Sequence, residues 1–280
     1  MHLWYTEYQT ENIGLSFKIR ETLFVGKSKY QDIAVLDTYE FGKLLVLDGL
    51  VMLTERDEFI YHELITHPAL FTHNCPKNVL VIGGGDGGSI REIVKHDCIK
   101  EAILCEIDPQ VIEISKKYLP SISCALEHPK VNIICEDGIK FVSKVNNYFD
   151  IIIVDSTDPI GPAKGLFKSS FYSDCFNALK EDGILICQSE SPIYHIELIK
   201  EINSKLKEVK FPVVRFYYGV VPTYPSAMWS WAFASKNFDP LKDINEERIK
   251  NKSFETKYYC IDIHKGIFNL PLFFKKAINN

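Results

Sequence analysis

The stretch Val79-Leu80-Val81-Ile82-Gly83-Gly84-Gly85-Asp86-Gly87-Gly88-Ser89-Ile90-Arg91 constrains the chain more than any other. Four apolar residues fit a buried strand, five glycines and one aspartate fit a tight turn, and Ser89 opens a helical pattern. Together these make the nucleotide-binding corner of a doubly wound α/β sheet. Gly83, Gly85 and Gly88 keep the G-x-G-x-x-G spacing, and Glu106 ends the next strand, where a ribose-binding carboxylate is expected. Asp86 changes the ligand class. A dinucleotide needs unopposed N–H groups at this turn, because its phosphates are anionic, and an aspartate there repels them. A positively charged nucleoside without phosphates fits better, such as S-adenosylmethionine or a relative with its cationic sulfonium. The intact compound also bears a carboxylate that Asp86 disfavours, whereas the decarboxylated form ends in an ammonium that Asp86 can pair with. The alternative is that Asp86 merely caps the helix.

From Asn78 onward, strand and helix patterns alternate. Strands are expected at 79–82, 101–107, 131–135, 149–155 and 183–189, with helices near 89–96, 109–118, 138–146, 168–180 and 193–209. Apolar stretches at 212–221 and 228–235 follow with no helix between them, which predicts an antiparallel edge hairpin on a mostly parallel sheet. Residues 1–55 read instead as a small antiparallel β domain, punctuated by Phe41-Gly42 and Asp48-Gly49, ahead of a Rossmann-like catalytic domain at 56–280. A helix is expected from Asp57 to about Leu70, with Phe59, Ile60 and Leu64 on its apolar face. Asn237 to Lys257 is polar and reads as a solvated connection to an amphipathic C-terminal segment.

Ligands of open α/β sheets sit beyond the carboxyl ends of the strands. Those ends read Gly83–Gly88, Glu106-Ile107-Asp108, Glu136-Asp137-Gly138, Asp155-Ser156-Thr157-Asp158 and Gln188-Ser189-Glu190, nearly all with a carboxylate. One such Asp is usually a cap, but a series predicts an acidic pocket for a polycation. A net charge of −5 argues against nucleic acid as partner. No run approaches the ~20 apolar residues of a membrane span. The start Met1-His2-Leu3-Trp4-Tyr5-Thr6-Glu7 lacks the pattern of a secretion signal, and the eight scattered cysteines form no C-x-x-C pair. Several of them, Cys105, Cys135 and Cys187, fall in expected strands, which suits reduced buried thiols in a cytoplasmic protein.

With these residues in view, the chain resembles the spermidine synthases, the polyamine aminopropyltransferases. The likeness rests on Tyr61-His62-Glu63, the Gly83–Gly88 turn, Glu106-Ile107-Asp108, Glu136-Asp137-Gly138, Asp155-Ser156-Thr157-Asp158-Pro159-Ile160-Gly161-Pro162 and Pro222-Thr223-Tyr224-Pro225-Ser226. It implies an N-terminal β domain joined to a methyltransferase-like α/β domain, assembled as a homodimer or homotetramer. It implies transfer of the aminopropyl group of decarboxylated S-adenosylmethionine, a co-substrate, to putrescine, giving spermidine and methylthioadenosine with no cofactor or metal. On the same footing, Glu106 would bind the ribose, Asp137 and Gly138 the adenine edge, Pro162 the adenine face, and Gln31 the nucleoside. Asp86 would pair with the aminopropyl ammonium, and Asp155 would be the base on the attacking amine. Tyr61, His62, Ser156, Thr157, Asp158, Gln188 and Tyr224 would line the diamine channel. The chain departs from the family pattern where Ala227-Met228-Trp229 follows Pro225-Ser226, in place of a glycine. That leaves the acceptor open among putrescine, cadaverine, agmatine and spermidine.

A sulfonium is a pre-activated leaving group, so the enzyme need only align the substrates and supply a neutral amine. An alkylamine with pKa about 10.4 transfers its proton to a carboxyl at about 3.9 only uphill, by roughly 9 kcal/mol at ~1.36 per unit. Burial and neighbouring charges must close that gap. The Gly and Pro punctuation from Asp158 to Phe171 suits a lid. A methyltransferase using intact S-adenosylmethionine is the competing reading on this fold. A non-catalytic polyamine binder is another, opposed by the presence of Asp155.

Overall fold

The computed structural model describes residues 3–157 and 161–279, with the backbone alone at 161 and 162. Its N-terminal part is a five-stranded antiparallel meander: β1 (Leu3–Thr10), β2 (Ile13–Lys27), β3 (Asp32–Thr38), β4 (Lys43–Leu47) and β5 (Leu50–Thr54), each paired with the next. Asp48 and Gly49 close β4 on β5 at φ 49° and 85°. A two-residue hairpin loop with both central residues left-handed matches the twist of the strands it joins.

Helix α1 (Glu58–Thr72) leads to a seven-stranded sheet of β6 (Asn78–Gly83), β7 (Glu101–Cys105), β8 (Val131–Ile134), β9 (Phe149–Asp155), β10 (Leu179–Gln188), β11 (Val213–Val220) and β12 (Met228–Ser235). Between these strands run α2 (Gly88–Val94), α3 (Pro109–Tyr118), α4 (Pro120–Ser123), α5 (Gly138–Val142), α6 (Ser169–Ala178) and α7 (Ile196–Glu208). The chain ends in α8 (Glu246–Lys250), α9 (Ile261–Ile267) and α10 (Leu272–Asn279). The strand order is β11-β12-β10-β9-β6-β7-β8, parallel from β10 to β8, with β12 and β11 antiparallel at one edge. This is the predicted methyltransferase-like architecture. Val79, Val81, Ile151 and Ile153 feed one core, and Leu80, Ile82, Ile152 and Val154 the other. Burial on both faces explains why these strands read as unbroken apolar runs. The order reverses between β6 and β9, where Gly83 lies opposite Asp155, and such a switch point is where ligands bind. Across the cleft, Ile33, Val35, Leu45 and Leu47 of the small sheet pack on Val111 and Ile114 of α3.

Three expectations need correction. The first helix has no single apolar face: every α1 residue except Phe59 is buried, because α2, α8 and β9–β11 all pack on it. Pro68 inside α1 deprives the Leu64 carbonyl of its helical N–H, and the Tyr217 hydroxyl donates to it instead at 2.9 Å. Asn237 to Lys257 is solvated along much of its length but is anchored at several points rather than a free connection. Phe238 and Ile249 are buried, and Glu63 of α1 accepts the backbone N–H groups of Lys257, Tyr258 and Tyr259 at 2.7, 2.9 and 2.7 Å. Cys135 lies past the end of β8 and is exposed, whereas Cys105, Cys175 and Cys187 are buried. Among the described residues, no helix is long and apolar enough to cross a membrane.

Candidate active site

The glycine turn is forced by what surrounds it. Gly83 sits at φ 80°, and a Cβ there would strike the Asp155 carbonyl oxygen. A Cβ on Gly88 would enter the His62 ring, so only glycine lets α2 start against α1. A cavity of about 240 Å³ opens beyond β6, β7 and β9 and is closed from above by the small sheet. Gln31, Tyr61, His62, Asp86, Glu106, Asp137, Gly138, Asp155, Ser156, Thr157 and Tyr224 all line it. Gln188 lines a smaller void of about 40 Å³ that shares Leu50, Met52, Tyr61, Ser156, Thr157 and Tyr224 with the first and ends at Glu7 and Trp229. Asp158 lies outside the described residues, as does the side chain of Pro162. Ala163 and Leu166, in the 3-10 turn Gly161–Phe167, contribute to the wall of the main cavity.

At one end the carboxylates also serve the fold. Glu106 accepts the N–H of Gly85 at 3.2 Å and of Asp108 at 2.9 Å; burial nevertheless pushes its carboxyl up to about 7. Asp137 caps α5 through Ile139 N at 3.0 Å. Gln31 donates to Asp108 at 2.9 Å, beside Ser28 at 2.6 Å, so its amide ties the small sheet to the α3 cap as well as facing the cavity. Glu136 is drawn outward to Lys144 at 2.6 Å. Asp108 and Glu136 therefore drop out of the series of strand-end acids, and Asp86, Glu106, Asp137 and Asp155 remain on the cavity.

The centre is a charge relay across two helices. Arg91 of α2 grips Glu58 at 2.9 and 2.8 Å, Glu58 meets His62 Nδ1 at 2.6 Å, and His62 Nε2 lies 3.2 Å from Asp86 Oδ1. Burial works against a charge on His62, but Asp86 and Glu58 override it and raise its pKa to about 10. Burial likewise opposes Asp86, and the imidazolium holds it below the usual carboxylate range. The same oxygen of Asp86 accepts Gly88 N at 2.8 Å, so Asp86 is both a turn cap and an ion-pair partner. Next to it, Asp155 receives the Tyr61 hydroxyl on Oδ1 at 2.8 Å and the Ser89 hydroxyl on Oδ2 at 2.6 Å. Burial and the charge of Asp86 raise its pKa.

The far end has acids with few partners. Glu7 of β1 is buried, accepts only Val51 N at 3.2 Å among the described residues, and is pushed up to about 7 by burial and by Glu190. Glu190, fully buried at φ 70°, has one oxygen with no hydrogen bond among the described residues. Gln188 bridges Glu190 at 3.3 Å to the carbonyls of Ser156 and Thr157 at 3.3 and 3.5 Å. Tyr224 stacks edge-on with Tyr61 and Trp229 at 5.8 and 4.7 Å, and its hydroxyl reaches Met52 O at 2.6 Å. Ser226 and Ala227 sit at φ 66° and 54°, so the family's glycine position is left-handed here with an alanine in it. Ala227 and Met228 line neither cavity, whereas Trp229 lines the smaller one.

Sequence reading missed Glu7, Glu58, Ser89 and Arg91 as site residues; it named Glu190 only among the strand-end acids and Trp229 only in the departure from the family pattern. Glu58 and His62 were findable as an i,i+4 pair. Glu7, on a strand over 150 residues from Gln188 by the numbering, had no signal at all. Among the described residues two trios, His62-Asp86-Asp155 and His73-Asp150-Asp182, bring ligand atoms within 4.8 Å of one another, yet both are already held by ion pairs and hydrogen bonds of their own. His62 turns Nδ1 to Glu58 and Nε2 to Asp86, and both carboxylates favour a proton on the nitrogen before them, which competes with a metal for its lone pairs. Asp150 is held by Lys180 at 2.9 and 3.0 Å, and His73 Nδ1 accepts Cys75 N, which leaves the ring proton on the atom facing the carboxylates.

Comparison with known proteins agrees with this layout. Residues 58–246 match the family model "Spermine/spermidine synthase domain" and residues 3–55 match "Spermidine synthase tetramerisation domain". The polyamine aminopropyltransferase of Caldicellulosiruptor bescii is 54% identical over 278 residues, 99% of each chain. That of Methanocaldococcus jannaschii is 50% identical over 280 residues, 99% of this chain and 95% of the other. The crystal structure of spermidine synthase from Thermotoga maritima superposes with a TM-score of 0.96 at 45% identity, covering 100% of this chain and 95% of that one. A spermidine synthase in complex with the transition-state analogue AdoDATO gives 0.97 at 45% identity, over 100% and 96%.

Proposed function

The chain belongs to the spermine/spermidine synthase family and acts as a polyamine aminopropyltransferase, and within that activity we propose that it transfers the aminopropyl group of decarboxylated S-adenosylmethionine to putrescine. The observation behind this reading is the position of Asp155: at the sheet's switch point, between a nucleoside-sized end with Glu106 and Asp137 and a narrow end with Glu7 and Gln188, the latter bonded to the buried Glu190. Glu106 takes the ribose hydroxyls, Asp137 and Gly138 the adenine edge, Pro162 its face, and Gln31 the nucleoside from above. Among the described residues both polar side-chain contacts of Asp86 fall on Oδ1, which leaves Oδ2 for the aminopropyl ammonium.

The diamine runs along Tyr61, His62, Ser156, Thr157 and Tyr224 toward Gln188. Its far ammonium rests against Glu7, which lines the smaller void, with Asp158 as a further anchor. Its near nitrogen attacks the carbon bound to sulfur. The C–S bond breaks, the electron pair stays on the sulfide of methylthioadenosine, and the nitrogen's proton passes to Asp155. Burial beside a sulfonium lowers the amine's pKa while burial beside Asp86 raises that of Asp155, so the two converge. No metal or cofactor is needed for this displacement.

Residues 1–55 and 56–280 form the β and catalytic domains in this reading. Leu3, Trp4, Tyr8, Ile13 and Val25, exposed on β1 and β2, suit burial against a second copy in a homodimer or homotetramer. The test is incubation with intact or decarboxylated donor and with putrescine, cadaverine, agmatine or spermidine, followed by mass spectrometry. Spermidine and methylthioadenosine from the decarboxylated donor are expected. A methylated product from the intact donor would establish the methyltransferase reading instead, and preference for another diamine would revise the acceptor alone.

A further inference from the structure

We propose that Ser89 is a positioning residue that sets the orientation and basicity of Asp155; this deepens the reading of Asp155 as the base and rests on it. Ser89 is fully buried in the first turn of α2, and its hydroxyl donates across to β9, to Asp155 Oδ2 at 2.6 Å. A serine in the first turn of a helix has no preceding turn to bond, and its hydroxyl ordinarily meets the free N–H groups of its own helix end or water. This one leaves its own helix. The backbone encloses the same oxygen: a Cβ on Gly84 would lie 2.8 Å from Oδ2. Tyr61 holds the other oxygen, so the carboxylate is clamped from α1 and α2 at once and keeps one lone pair free on each oxygen for the amine.

The clamp also acts on charge. Asp155 faces Asp86 from the glycine turn, His62 and Tyr61 from α1, Ser89 from α2 and Tyr224 from the β11–β12 connection. Burial and Asp86 favour its protonated form, while His62, Ser89 and Tyr61 favour the carboxylate. Removing the Ser89 hydroxyl leaves burial and Asp86 less opposed, so protonation sets in at higher pH.

The experiment compares kcat against pH, at saturating donor and putrescine, for the wild type, Ser89→Ala and Ser89→Thr. Ser89→Ala should move the acidic limb up by about one pH unit. It should lower the plateau about tenfold and leave both KM values within about threefold. Ser89→Thr, which restores the hydroxyl, should return limb and plateau toward wild type. If Ser89→Ala fails to fold by thermal unfolding, Ser89→Cys fills the same space with a weak donor and should show the same limb shift. A limb that stays in place, or a threonine variant no better than alanine, overturns the proposal. Asp155→Asn runs alongside: turnover near wild type there removes the base reading itself, whereas an inactive Asp155→Asn with an unmoved Ser89→Ala limb removes Ser89 alone.

Discussion

At the nucleoside end of the cavity the carboxylates do two jobs, since Glu106 binds two backbone N–H groups and Asp137 caps α5. At the diamine end Glu7 has a single backbone donor among the described residues, and Glu190, on a left-handed backbone, has its second oxygen 3.3 Å from His195 Nδ1. The first end is rigid before any ligand arrives, because the turn and cap hydrogen bonds that form the fold also aim the acids. The second brings two buried carboxyl groups near each other, Glu7 with its pKa raised by burial and by Glu190, and Glu190 with His195 beside it. Such groups are costly and rare, and a cationic ligand supplies what they lack. On the proposed reading, the first end suits rigid recognition of a nucleoside and the second electrostatic capture of a flexible diamine, with Asp155 between them.

The largest effect should come from the residue both ends share. Asp155→Asn should lower kcat on the order of a thousandfold, as loss of a positioned base does, and leave methylthioadenosine affinity within about threefold by calorimetry. Asp86 tests the border between the two ends. The wild type should bind intact S-adenosylmethionine on the order of a hundredfold worse than the decarboxylated donor, and Asp86→Asn should narrow the gap to about tenfold, at ~1.4 kcal/mol per decade. Full discrimination in the mutant would make Asp86 only a turn cap.

A paired experiment then divides the ends directly. Glu106→Gln should weaken methylthioadenosine roughly tenfold or more and leave the putrescine KM within about twofold; Glu7→Gln should do the reverse. In the wild type, putrescine KM should rise as pH falls below about 7, where Glu7 takes up its proton, and Glu7→Gln should flatten that dependence. If each variant disturbed both ligands equally, the two ends would be one site.

The smallest effect concerns stability. Glu7 has its folded-state pKa raised to about 7, so its contribution is full at pH below the unfolded value and is lost as pH rises through 7. The Tm of the ligand-free wild type relative to Glu7→Gln should therefore fall by roughly 5 °C between pH 5 and pH 8. A difference independent of pH would mean that Glu7 is solvated, and the contrast between the ends would lose its physical basis.

What could be read directly from residue order was local. The glycine turn, the alternation of strand and helix, the terminal hairpin and the Asp48-Gly49 loop each depend on residues within a few positions of one another. Periodicity and turn chemistry act over that range. The nucleoside end belongs with them, because Glu106, Asp137 and Asp155 stand at strand termini whose direction the parallel sheet already imposes. Tyr61, His62, Gln188 and Tyr224 entered through the family resemblance, and all four line one or other of the two cavities that share a wall. The extent of α1's burial and the docking of 237–257 on Glu63 were hidden, since a polar segment can bury its backbone against one carboxylate without any apolar pattern.

The sequence by itself determined the fold class, the switch point and the acids that stand on it. Only the tertiary structure decided which acids keep a partner. Whether Glu7 meets Glu190, whether Ser89 reaches Asp155, and whether His62 is charged between Glu58 and Asp86 depend on separations of a few ångströms between elements far apart in the chain. Electrostatic and hydrogen-bond energies change steeply over those distances, and no local pattern encodes them.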